Sequence, residues 1–366
     1  MVHLTIDRDV FSAALAAALR VVPARSPLVV TTGLFIRAEG GALEVAGTDL
    51  EVSVKCQAPV MEVYSEGEAV VPARQIAEIV RRISEGTVEI KGSQNDLVLL
   101  YPGGEARMAG FPPEEFPLMP ASSDSGVTLH LRGGLKEALR SVLYAAGKDE
   151  LRPVFTGVQF ELRDGMLTLA ATDAHRLAVY EVATDVSEPC SCVIPAKALR
   201  EVERALSQGE EQVKITLQQN QATFVIGEIE VYTRLIDGRF PDWRAAVPHG
   251  RGRTSLGNDM SSLIKAIERA QVLAASEAST VIVRASGGKM TVHSQSDLGG
   301  LNETVPLHFE GEDVEIAFNA NYLLEALKAA GGGRVEMELN GSMGPAVIRT
   351  PGSGGYLALV LPLRII

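Results

Sequence analysis

The sequence predicts an α+β protein built from three copies of one β-rich domain, and three observations predict it. The first is repetition: "TTGLFIRAEGGALEVAGTDLEVSV" from Thr31 and "FTGVQFELRDGMLTLAATDAHRLAV" from Phe155 share one layout. Each reads as an alternating strand, a Gly turn, a second strand, and a polar pair leading into a third. Thr48-Asp49 recurs as Thr172-Asp173 after 124 residues, and Ser296-Asp297 follows after another 124. The second observation is an independent set of markers at the same period. "VVPARQIAEIVRRI" around Pro72 recurs as "VIPAKALREVERAL" around Pro195 and as "AFNANYLLEALKAA" around Asn319, and Phe116-Pro117 recurs as Phe240-Pro241. The third is length, because 366 residues exceed what one core holds, which is about 250–300 residues.

The period divides the chain into domains at 1–122, 123–249 and 250–366, with loop-like junctions in "MPASSDSG" and "VPHGRGRTSLGN". An early helix is expected in each third, over residues 7–20, 135–144 and 260–272. Apolar positions recur there at helical spacing, as in Leu263, Ile264 and Ile267. Strands of period two follow, such as "VQFEL" and "LTLAAT". A second helix opens on Pro-Ala or Asn-Ala, over 74–85, 197–206 and 321–329, where proline suits the first turn. Further strands close each unit, which divides into two half-units.

Composition narrows the function classes. Hydrophobic residues make up 46%, and no apolar run approaches a membrane span. The start, "MVHLTIDRDV", lacks the basic flank and apolar stretch of a secretory signal. Cys56, Cys190 and Cys192 cannot build a disulfide framework, and the last two stand too close for zinc-ligand spacing. They read as structural thiols, and a reducing cytoplasm is the expected compartment. The six histidines are scattered, so neither a metal nor a cofactor is expected.

"TDAHRLAV", residues 172–179, raises the question of catalysis, since Asp173, His175 and Arg176 could form an acid, a base and a clamp. The equivalent stretches read "TDLEVSV" and "SDLGGLN", so the polar pair is a recurring turn whose short side chain bonds the backbone. A dyad would also need a nucleophile or metal partner, and no nucleophile-elbow, zincin or phosphate-loop motif is present. The turn is the favoured reading, with an Asp173–His175 enzyme as its rival.

The net charge of −12 argues against nucleic acid until its distribution is considered. The six helices are weakly basic while the rest of the chain is acidic. Lys136 and Arg140, Lys265 and Arg269, Lys197 with Arg200 and Arg204, and Arg74 with Arg81 each share a helix face. A solvated face is the plain alternative for one helix. The bias recurs on four, which suits a phosphate backbone held weakly and without sequence readout. With aromatics at 5% and one tryptophan, Trp243, double-stranded DNA fits better than stacked single strands. A three-domain scaffold that never touches DNA is the second rival.

From "GTDLEV" (47–52), "VPAR" (71–74), "TDAHRLAV" (172–179), "DGRFPDW" (237–243), "FNANYLLEAL" (318–327) and "VLPLR" (360–364), the whole chain resembles the bacterial DNA polymerase III β sliding clamps. That resemblance implies the DNA clamp fold: three domains, each with two helices on β-sheets, in a head-to-tail homodimeric ring of pseudo-sixfold symmetry. It implies a non-catalytic, cytoplasmic processivity factor that encircles double-stranded DNA. Its implied partners are the polymerase III catalytic subunit, the clamp-loader complex and other clamp-binding-motif proteins.

The resemblance also implies a peptide groove between domains 2 and 3, made by Phe155, Thr172, Ala174, His175, Arg176, Leu177, Pro241, Asn319, Tyr322, Met343, Val360, Leu361, Pro362, Leu363 and Arg364. DNA-facing candidates are Arg25, Arg74, Lys136, Arg140, Lys148, Arg152, Lys197, Arg200, Arg204, Lys265 and Arg269. Met108 is implied to meet Val272 and Leu273 of a second copy. The chain departs from the family's common residues at Ala174 (often Gly), Leu361 and Leu363 (often Met), Ala245 (Arg) and Ala278 (an aromatic). It also carries Ile365 and Ile366 past the usual terminus.

Overall fold

The computed structural model describes all residues except 94–95, 118–125, 207–211, 249, 251, 258–259, 275–278, 332–333, 352–354 and 365–366. Ala278, Ile365 and Ile366 therefore lie outside the described residues. Among the described residues, six α-helices appear where the periodicity places them: α1 (Arg8–Leu19), α2 (Ala73–Arg82), α3 (Leu135–Val142), α4 (Ala196–Ala205), α5 (Ser261–Val272) and α6 (Ala320–Ala329). Local chemistry fixes two of their starts. The Asp7 side chain accepts the N–H groups of Asp9 and Val10 at 2.8 and 3.2 Å, capping α1. Asn319 caps α6 in the same way through the N–H groups of Asn321 and Tyr322.

Two compact units are present: Met1–Gly133 with Lys197–Leu235, and Gly134–Ala196 with Ile236–Ile366. The first holds a five-stranded and an eight-stranded sheet, and the second a nine-stranded and a four-stranded sheet. Among the described residues all the pairings are antiparallel, and strands such as Val52–Pro59 alternate buried and partly exposed residues, as a one-sided core requires. In the first unit, Phe11 and Leu15 of α1 and Ile76 and Val80 of α2 share one core with Leu4, Ile6, Leu34, Ile36, Val45 and Ile90. Gly47 permits this packing, because a Cβ there would stand 2.5 Å from the Ala18 carbonyl of α1.

Sheet membership follows half-repeats rather than repeats. The eight-stranded sheet joins four strands of the first repeat to four of the second, where Ile229–Arg234 pairs with Val52–Pro59. The nine-stranded sheet joins the second repeat to the third, where Arg176–Ala183 pairs with Leu357–Val360. Two half-repeats stay in sheets of their own. One is the five-stranded sheet ending on Gly104–Ala109, and the other is the four-stranded sheet ending on Gly299–Val305.

The strand that enters each junction follows the Thr-Asp turn, and the turn is strained at its third residue. Leu50 and Ala174 adopt φ values of 78° and 75°, a left-handed conformation that glycine tolerates best. A glycine at either position would adopt this conformation without a Cβ penalty. Leu50→Gly, at the equivalent turn, is expected to stabilise the chain by about 0.5–1 kcal/mol, read as a higher thermal midpoint; a fall would show that the leucine's contacts outweigh the strain.

Candidate functional site

The turn chemistry is the same in both copies. In the second repeat, Thr172 Oγ1 donates to the Arg176 carbonyl at 2.6 Å, and Asp173 Oδ1 accepts the N–H groups of His175 and Arg176 at 2.9 and 3.0 Å. In the first, Thr48 Oγ1 donates to the Val52 carbonyl at 3.1 Å, and Asp49 Oδ1 accepts Glu51 and Val52 at 3.0 and 2.8 Å. The other oxygen of Asp173 accepts Arg176 Nε at 3.0 Å. Both carboxylate oxygens are thus committed to holding the turn. The His175 ring is exposed and stacks towards Tyr322, with centroids 6.4 Å apart. Asp173 and His175 are architecture rather than an acid–base pair.

Arg176 is the centre of the site. Its side chain is only 10% exposed. The guanidinium lies over the Tyr322 ring at 4.4 Å and the Tyr144 ring at 5.4 Å, and it pairs with Glu325 of α6. Planar stacking combined with two carboxylate partners is a geometry that arginine meets and lysine does not. Below it, Tyr356 Oη donates to the Ala326 carbonyl at 2.7 Å, so the 2.8 Å contact between the two phenols must carry the Tyr144 proton. Burial pushes both phenols well above the usual tyrosine range, so they remain donors across physiological pH.

The C-terminal strand runs beside this nest. Arg176 faces Val360 and Leu177 faces Leu359 in register. The chain continues past the strand, with Leu361 N–H donating to the His175 carbonyl at 3.0 Å and Leu363 N–H to Ala317 at 2.8 Å. Beneath, Leu177, Val179, Phe240, Trp243, Val347 and Leu359 form a buried apolar cluster. Above, Leu361 is 44% exposed, and Pro362 and Leu363 are half-buried. The result is an apolar shelf beside His175 and Tyr322.

The other residues singled out in the sequence fall at varying distances from this shelf. Phe155 belongs with it: its carbonyl accepts Gly147 N–H at 2.7 Å, and a Cβ on Gly147 would touch both Phe155 and Asp173. Pro241 is exposed beside buried Phe240, and Arg364 is exposed beyond Leu363. The side chain of Asn319 is occupied with capping α6. Met343 is 62% exposed in the turn between Glu336–Leu339 and Ala346–Arg349. Tyr144, Glu325 and Tyr356 were missed by sequence reasoning. Only Glu325 left a signal, three residues beyond Tyr322 on one helix face.

The basic candidates divide by partner. Lys197 pairs with Asp49, Arg204 with Glu201, Arg269 with Glu303 and Arg152 with Asp149. Arg25, Arg74, Lys148, Arg200 and Lys265 are exposed, with no ion pair among the described residues; Arg140 is exposed and Lys136 half-buried. Met108 is buried in the first unit's core, opposite Leu97, while Glu105, Arg107 and Ala109 of the same edge strand are exposed. Val272 is 77% exposed and Leu273 half-buried, at the end of α5. Among the described residues, no His, Cys, Asp or Glu cluster could hold a metal, and no helix is long and apolar enough to cross a membrane.

Comparison with known proteins decides what this architecture belongs to. Three family models match in order: DNA polymerase III beta subunit N-terminal domain over residues 2–120, central domain over 132–242 and C-terminal domain over 245–364. The chain belongs to the DNA polymerase III beta subunit family, the sliding clamps. It is 30% identical to the beta sliding clamp of Staphylococcus aureus, with all of both chains covered. The sliding clamp of Bacillus subtilis superposes with a TM-score of 0.94 at 28% identity, and that of Pseudomonas aeruginosa bound to griselimycin with 0.94 at 25%, again over both full chains. The family's function is that of a non-catalytic processivity factor, so the absence of a dyad at Asp173–His175 is its normal condition.

The nest gives a direct test. Tyr356→Phe removes the donor to the Ala326 carbonyl and the acceptor for Tyr144, and should cost about 1–3 kcal/mol, measured by denaturant unfolding. An unchanged midpoint would show that the phenol pair does not hold α6 against the strands.

Proposed function

We propose that two copies close head to tail into a ring around double-stranded DNA, each copy contributing domains 1–122, 123–249 and 250–366. One observation carries this reading. Within the chain, each half-repeat that follows a Thr-Asp turn is joined to a half-repeat of the next domain, except at the ends. The strand Gly299–Val305 is the third counterpart of Val52–Pro59 and Arg176–Ala183. The strand Gly104–Ala109 is the first counterpart of Ile229–Arg234 and Leu357–Val360. Both are sheet edges, and antiparallel pairing between two copies makes the junction that the chain makes twice within itself. Such contacts are heterologous, and a rotation that closes gives a ring. Val272 and Leu273 lie at the end of α5, which packs on the Gly299 strand, and they supply apolar surface for the join.

The basic helices would then line the opening. Arg25, Arg74, Lys148, Arg200 and Lys265 are free to meet phosphate, joined by Lys136, Arg140, Arg152, Lys197, Arg204 and Arg269 as their internal partners exchange. Contacts of this kind are weak, salt-sensitive and blind to sequence, which permits sliding. The shelf formed by Leu361, Pro362 and Leu363 over buried Leu177 and Val360, with His175, Arg176 and Tyr322 on its rim, would take short apolar peptides from the polymerase, the clamp loader and other DNA enzymes. Exposed apolar surface with few polar groups is what such anchors need. The ring tethers each enzyme at the primer end and raises its effective concentration there. The cytoplasm is the proposed compartment.

Sedimentation equilibrium at micromolar concentration should give twice the 39.0 kDa chain mass, and Val272→Asp with Leu273→Asp should return the monomer. A native mass of one chain would contradict the join. Separately, Arg176→Ala should weaken a labelled clamp-binding peptide about tenfold or more while leaving the dimer mass unchanged; equal affinity would remove the shelf from the mechanism.

A further inference from the structure

Each repeat ends by sending its chain back onto the strand that precedes its second helix. The N–H of Phe111 donates to Val70 at 2.8 Å, that of Ile236 to Val193 at 2.9 Å, and that of Leu363 to Ala317 at 2.8 Å. In the first two repeats, the residues that follow cover the outer face of the sheet. Phe116 stacks on Phe35 with centroids 5.3 Å apart, in a cluster with Val30 and Val70. Phe240 and Trp243 bury against Ala170 and Val193, and Arg244 then donates to Glu161 at 2.8 Å. Both covering segments bury an aromatic ring, and that of the second repeat adds one charge matched to the sheet.

Register identifies the same face in the third repeat. Gln159 lies opposite Val193 and Ala170, and Ile282 lies opposite Ala317 and His293; one pleat further along, Glu161 is replaced by Arg284. Among the described residues, nothing covers this face. It forms an open trough of about 600 Å³ with Ile282, Thr291 and His293 on its floor and Arg284, Lys289 and Glu315 at its edge. Arg284 pairs with Glu315, while Lys289 is exposed with no ion pair among the described residues. Glu315 stands opposite Arg284 where the second repeat has Ser191 opposite Glu161, so the lone carboxylate of that pleat is replaced by an ion pair, and Lys289 adds one exposed positive charge.

We propose that this trough is a docking site for an extended segment of a partner protein, in which an aromatic residue is followed by an acidic one. The aromatic ring takes the place that Trp243 fills in the second repeat, over Ile282 and His293. The acid takes the place of Arg244, meets Lys289 and exchanges with Glu315 at Arg284. This surface lies on a different sheet from the Arg176 shelf, and the proposal does not rest on encirclement of DNA.

The probe is a fluorescent peptide of residues 238–244 carrying R244E, titrated into the full chain by anisotropy. Saturable binding is expected, about tenfold tighter than for the same peptide with its native arginine. Arg284→Glu should invert that preference and Arg284→Gln should abolish it, so either variant serves if the other folds poorly. Ile282→Glu should remove binding of both peptides, while Leu361→Asp on the shelf should leave both affinities unchanged. No saturation at millimolar peptide, equal affinity for the two peptides, or loss on Leu361→Asp would overturn the proposal. A change of oligomeric mass on Ile282→Glu without peptide binding would also overturn it, in favour of a face shared between copies.

Discussion

The constraint on which this structure depends is that a β-strand edge must find a partner. An unpaired edge presents a row of backbone donors and acceptors, and natural sheets pair, cover or blunt it. This chain solves the problem by repetition. Its half-repeats are complementary, so the edge after one Thr-Asp turn is completed by the last strand of the following domain. Val52–Pro59 meets Ile229–Arg234, and Arg176–Ala183 meets Leu357–Val360. The turn itself is built from Thr and Asp side chains that satisfy the backbone, and it accepts a left-handed residue to aim the strand. The two edges at the ends of the series remain, and they are the basis for the proposed ring.

The same pairing explains why the shelf lies at a domain junction. Strand exchange between the second and third repeats brings Leu177 against Leu359 and carries the tail past His175. Arg176 then bridges the two repeats through aromatic faces and Glu325, and the buried phenols brace α6 from below. The equivalent turn of the first repeat reaches the next repeat through Lys197 and Asp49 instead. One backbone plan therefore carries two different surfaces, and only the second has an apolar tail laid along it.

Much of this was legible in the sequence, because repeats, helix starts and period-two strands are local signals. The six helices lie within a few residues of their expected bounds, and the recurring Thr-Asp pair is a turn for the reason its chemistry suggested. What was not legible is non-local. Nothing in the neighbourhood of Arg176 announces Tyr144, Tyr356 or Glu325, which come together only when strands far apart in sequence pair. Asn319 reads equally as a groove residue or a cap, and its oxygen is used for the cap. The basic helix faces were visible as charge patterns, but their partial neutralisation by Asp49, Glu201 and Glu303 comes from tertiary packing. The burial of Met108 follows from the pleat that sets it against Leu97.

The central claim is that escape from DNA is barred by geometry rather than by adhesion, and retention on DNA of different topology measures it most directly. Once loaded on nicked circular DNA, the protein should stay bound through gel filtration at high salt and be released when one double-strand cut linearises the circle. Equal retention on circular and linear DNA, falling together as salt rises, would mean that the basic helices hold the duplex by charge alone and would contradict encirclement.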